Sequence, residues 1–188
     1  MRLLRGYVSA VDAVNYRLGR MVMYGIFVLM AILLWSSVSK TFFVPSLWTL
    51  EMAQFAMVAY YILGGPYSIQ MNSNVRMDLL YGGWSLRRKA WFDAVTVVFL
   101  IFYLGVLLYG GIASTAFSLG HFGGEPLRFF AGLLTGSQEV GRAERSPSAW
   151  RPYMWPIKAI MVLGIFLMLL QCLSELCKDI LRLRGDPL

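Results

Sequence analysis

Charge is what this sequence has least of. Asp, Glu, Lys and Arg make up 14% of its 188 residues, against about a quarter in a soluble globular domain. That deficit excludes an ordinary soluble fold. Histidine is nearly missing too: His121 is the single one. Zinc sites and haem-binding helical bundles draw heavily on histidine ligands, so neither fits, and no cofactor is expected. The cysteines are also few. Cys172 and Cys177 stand five apart, which is no metal or redox spacing, and a helix of about 3.6 residues per turn does not bring such positions together. They read as small hydrophobes.

Apolar bulk takes the place of charge. Hydrophobic residues make up 58% of the chain and the mean hydropathy is +0.61, a composition that belongs in lipid. Four stretches carry no charge: Met21–Ser39, Met52–Val75, Ala94–Gly120 and Ala159–Ser174. A helix rises ~1.5 Å per residue and the hydrocarbon layer is ~30 Å thick, so a crossing needs about 20 residues. The first three stretches meet that length. The fourth is completed by Trp155 ahead of it and by Lys158, whose ammonium can snorkel outwards, giving a working span of Trp155–Cys177. The pattern therefore predicts an all-α integral membrane protein, a single domain over 1–188, with four transmembrane helices at about 21–40, 50–71, 90–119 and 155–177. The first apolar run starts only at Met21 and no A-x-A-like site follows it, so a cleaved signal peptide is not expected.

Local signals refine this outline. In Arg2–Arg20, Leu4, Val8, Val11 and Leu18 recur at helical spacing while Arg2, Arg5, Arg17 and Arg20 supply the polar side. The segment is either an amphipathic helix at the headgroup level or a cytoplasmic extension of the first span. Gly64-Gly65-Pro66 sits inside the second span, where proline removes a backbone bond and predicts a kink or break. Ser85 suits the N-cap of a third helix from Leu86 to about Leu119, and Pro156 suits the first turn of the fourth. The stretch 121–154 reads as a loop, within which Pro126–Leu134 is apolar enough to form a short surface helix on the bilayer or on a partner.

The net charge of +7 could suggest nucleic acid, but the basic residues form short clusters beside apolar runs, as membrane-flanking loops do. Membrane lipids, not nucleic acid, are the expected contact. Lys and Arg concentrate in the N-terminal segment, the 76–89 loop and the C-terminus. The positive-inside tendency therefore predicts both termini in the cytoplasm. The four apolar stretches contain no ionisable residue, whereas catalysis or ion coupling at membrane depth normally requires one. Glu51, behind Trp48 at the mouth of the second span, is either an acidic residue in a favourable first helical turn or a contact to a partner chain. Trp84, Trp91, Trp150 and Trp155 suit interface anchoring. Gly64-x-x-x-Ser68, Gly110-x-x-x-Ser114 and Gly111-x-x-x-Thr115 are small-residue pairs that permit close helix approach.

Two segments carry a family likeness. Trp48-Thr-Leu-Glu-Met-Ala-Gln-Phe, then Gly64-Gly65, then Asn74-Val-Arg-Met-Asp78, resembles the second-helix region of the small membrane subunit of tripartite ATP-independent periplasmic (TRAP) transporters. The run Arg145-Ser-Pro-Ser-Ala-Trp-Arg-Pro-Tyr-Met-Trp-Pro-Ile-Lys-Ala, continuing to Leu163-Gly164 and Gln171-x-x-Ser-Glu175, is similar to that family's fourth-helix entry and body. One position departs: Asn74 stands where the family often has histidine. The resemblance implies a non-enzymatic scaffold in the bacterial inner membrane. It would pack beside a large multi-span permease subunit, and a periplasmic substrate-binding protein would deliver an organic acid for secondary, usually sodium-driven, import. It also implies partner-interface residues at Trp48, Glu51, Gly64, Gly65, Arg76, Asp78, Trp155 and Lys158. A stand-alone small multidrug-type exporter is the alternative, and it would call for a membrane-embedded carboxylate.

Overall fold

A computed structural model describes residues 2–71, 83 and 86–183. Arg76, Asp78, Trp84 and Ser85 lie outside the described residues. The described chain is helical in six pieces: α1 Arg2–Val22, α2 Gly25–Phe42, α3 Thr49–Gln70, α4 Leu86–Ser118, α5 Pro126–Leu134 and α6 Trp155–Leu183. No strand occurs among the described residues. Three segments are long and apolar enough to cross a membrane, namely Leu4–Phe42, Trp91–Ser118 and Trp155–Leu181. Helix α3, the expected second span, has 22 residues but is not among them.

Helix α6 is the centre of the assembly and packs on α4, α3 and α1; α3 also packs on α1 and α2. The apolar core lies along the α4–α6 seam, where Leu104, Ile165 and Cys172 are buried among Val97, Leu100, Met161 and Met168. Burial elsewhere is inverted relative to a soluble protein. The buried residues of α2 are Ser36 and Ser39, while Phe27 and Leu34 are each 63% exposed. Lipid is as apolar as a leucine side chain, so nothing drives such residues inward, whereas hydroxyls must find partners. They do: Thr49 Oγ1 donates to Ser36 Oγ (3.2 Å), Ser46 Oγ donates to Thr49 Oγ1 (3.0 Å), and the Ser39 and Ser46 hydroxyls lie 3.1 Å apart. This hydroxyl cluster closes the α2–α3 hairpin.

The segment ahead of the first apolar run is a helix, as its spacing predicts, and a turn at Met23–Tyr24 separates it from α2. Pro66 does not break α3, which continues through it to Gln70. Pro66 withholds an amide from the carbonyl of Ile62, and that carbonyl faces Gly164 of α6, where an added Cβ would stand 3.0 Å from the oxygen. A glycine opposite the interrupted bond lets α6 close over it. Helix α5 forms where the apolar run predicts it, with Pro126 in its first turn.

Candidate functional site

Polar contacts gather at the two ends of the helix bundle. At the end where α4 finishes and α3 and α6 begin, the 141–146 segment folds back on the bundle. Gly141 N–H donates to the Leu119 carbonyl and Glu144 N–H to the Ser118 carbonyl (both 2.9 Å). Gly120 permits this approach: its φ is +88°, and a Cβ there would meet Arg142 N at 2.6 Å. The segment then reaches both neighbouring helices. Glu144 pairs with Lys158 of α6 at 2.6 Å, and Lys158 Nζ also donates to the Ser114 carbonyl at 3.3 Å. Ser146 Oγ donates to Glu51 of α3 at 3.2 Å. One short stretch of loop thus clips α3, α4 and α6 together.

Glu51 is only 7% exposed, and its Oε2 has no hydrogen-bond partner among the described residues. A carboxylate oxygen buried without a partner costs stability. His121, beside the same end, stacks on Phe129 of α5 at 4.6 Å with its rings tilted by 23°. That contact fixes α5 against the end of α4.

At the opposite end a buried network ties α1 to α6. Asp12 accepts from Lys178 (2.7 Å), from Gln171 Nε2 (2.9 Å) and from Ser174 Oγ (3.1 Å). Asn15 Nδ2 donates to Gln171 Oε1 at 2.6 Å, and Glu175 accepts from Lys178 at 2.7 Å. Gln70, the last residue of α3, donates to the Asp12 backbone carbonyl at 3.1 Å. Three helices therefore converge on Asp12. Lys178 bridges the Asp12 and Glu175 carboxylates, while Asn15 Oδ1 and Gln70 Oε1 are buried without a hydrogen-bond partner among the described residues.

The expected interface residues fall in different places. Glu51 and Lys158 are joined through the 144–146 segment and do not pair with each other. Gly65 does face α6, since a Cβ there would lie 2.6 Å from Met168 Sδ, but Gly64 faces open space. Trp48 and Trp155, at the starts of α3 and α6, are 38% and 43% exposed. The closest helix approaches are at positions the small-residue spacings did not single out. A Cβ at Gly19 would overlap Tyr67, and one at Gly164 would overlap Ile62. Gly111, not Gly110, meets α6, with a Cβ 3.1 Å from Val162 Cγ2.

Among the described residues no group of three or more His, Cys, Asp or Glu could hold a metal ion. Outward-facing apolar helices, glycine crossings and polar tethers at both ends define a multi-pass membrane protein. The model of the family described as tripartite ATP-independent periplasmic transporters, DctQ component, matches residues 29–182. The chain belongs to that family, whose members are transporter components and not enzymes. No curated protein and no solved structure matches it.

Proposed function

We propose that the chain is the scaffolding small subunit of a sodium-coupled secondary transporter that imports organic acids across the bacterial inner membrane. It crosses four times with both termini in the cytoplasm, packs against a large permease subunit, and helps dock a periplasmic substrate-binding protein. The observation that carries this reading is the family match over residues 29–182. In this arrangement α3 is the remaining crossing. Its 22 residues rise about 33 Å, enough for the hydrocarbon layer. It tolerates Pro66 and Gln70 because both face neighbouring helices: Pro66 is buried, and Gln70 donates to α1.

The end clipped by the 141–146 segment then faces the periplasm, and Glu51 is held within it by Ser146. The N-terminal helix and α5 lie at the two membrane surfaces, each with a polar and an apolar side. The family match favours this subunit role over a stand-alone exporter.

The test is reconstitution. In liposomes with a sodium gradient, this chain together with the large permease and the binding protein is expected to take up an organic acid, and this chain alone is not. Uptake by the chain alone, or undiminished uptake by the other two without it, would each contradict the scaffold reading.

A further inference from the structure

We propose that the cleft beside the end of α4 is a binding site for the phosphate headgroup of an anionic phospholipid. The cleft has a volume of about 740 Å³, the size of an ordinary small-ligand pocket. Three arginines, Arg142, Arg145 and Arg151, line it together with Phe117, Phe122 and Tyr153. Its acidic member, Glu144, is engaged by Lys158 at 2.6 Å, so the arginines are left without a counter-charge from the lining. Arginine's planar fork of donors matches phosphate oxygens.

The arginines are also positioned. Arg142 follows the Gly120–Gly141 approach that pins the segment to α4. Arg145 lies over the Tyr153 ring at 4.4 Å and donates to its hydroxyl. Arg151 has φ +52°, and its N–H donates to Ser148 Oγ at 3.2 Å. Left-handed backbone at a residue other than glycine costs free energy and tends to occur at functional positions.

The choice of a lipid over a free anion comes from the apolar wall. Phe117 and Phe122 pack edge to face at 5.1 Å, and Phe117 stands in the last turn of the candidate span Trp91–Ser118. On α4, Phe99, Phe102, Val106 and Tyr109 are exposed at helical spacing along a stripe that leads to Phe117. An acyl chain lying on that stripe would bring its headgroup level with the three arginines.

The experiment uses the full chain purified in detergent, with lipid retention followed by native mass spectrometry. Phosphatidylglycerol and phosphatidylcholine of matched acyl chains are the probes, and glycerol 1-phosphate is the free-headgroup competitor. Phosphatidylglycerol is expected to be retained on the order of tenfold or more over phosphatidylcholine, given the attraction of clustered arginines for anionic headgroups. Arg142→Gln, Arg145→Gln and Arg151→Gln together should abolish the preference. Arg128→Gln should keep it, because Arg128 lies outside the cleft and pairs with Glu125. Arg142→Gln alone disturbs no described contact and should still weaken the preference. Equal retention of the two lipids, or a triple variant with its preference intact, would overturn the assignment. So would displacement by glycerol 1-phosphate at the lipid's own affinity, which would mark a free-phosphate site. A triple variant that keeps its lipid preference but loses a protein partner would overturn it in favour of protein docking.

Discussion

The α3–α6 crossing can be tested with one methyl group. Gly164→Ala places a Cβ into Ile62 Cγ2 and leaves it 3.0 Å from the Ile62 carbonyl oxygen and 3.1 Å from its carbon. The side-chain atom is the stiff branch of a β-branched residue, and the other two atoms are backbone, so neither can yield cheaply. Overpacking of this kind costs about 1–3 kcal/mol. Against it stands the gain of replacing helical glycine by alanine, ~1 kcal/mol. Gly64→Ala separates the two terms, because nothing lies within 4 Å of a Cβ there. Gly64→Ala is therefore expected to be neutral or stabilising, and Gly164→Ala less stable than it by roughly 1–3 kcal/mol. Adding Ile62→Ala to Gly164→Ala should restore only the side-chain part, since the backbone oxygen remains. Reversible unfolding in mixed detergent micelles, followed by circular dichroism, would measure all three. Equal stability of Gly164→Ala and Gly64→Ala would refute the claim that this glycine sets the closest approach of α3 and α6.

Three further predictions concern the two ends. Lys158→Met removes the ion-pair partner of the partly exposed Glu144 and should cost up to about 1 kcal/mol, with faster amide exchange at Gly141 and Glu144; unchanged exchange would show that the ion pair does not hold the segment. Asp12→Ala removes the acceptor shared by Lys178, Gln171 and Ser174 and should loosen α1 from α6, seen as a broadened distance distribution between spin labels on the two helices, while Arg20→Ala should leave it unchanged. A reporter active only outside the cytoplasm should be silent when fused after Leu188 and active when placed near Gln138, and the opposite pattern would reverse the orientation.

The sequence alone determined the parts that depend on local composition. A long uncharged run can be read residue by residue, and the helices at Gly25–Phe42, Leu86–Ser118 and Trp155–Leu183 overlap three of the four runs, with Pro156 in the first turn of the last. Pro126 likewise marked the start of α5, and the order of small motifs carried the family likeness. The helix faces were less legible. Lipid is as apolar as the core, so no alternation of apolar and polar residues records which side turns inward. Gly64 and Gly65 are neighbours about 100° apart on a helix, and only the rotation of α3 against α6 decided that Gly65 is the one in contact.

The polar contacts were still further from reach. Glu51 and Lys158 each stood out in the sequence, yet the path of the 141–146 segment, bent back at Gly120, decided that they are joined through Ser146 and Glu144. Asp12 drew no notice among the arginines of the N-terminal segment, because its partners Gln171, Ser174 and Lys178 lie at the far end of the chain. Such pairings depend on distances in space that composition does not encode. They form because a polar group removed from water must find its partner wherever the fold brings one within reach.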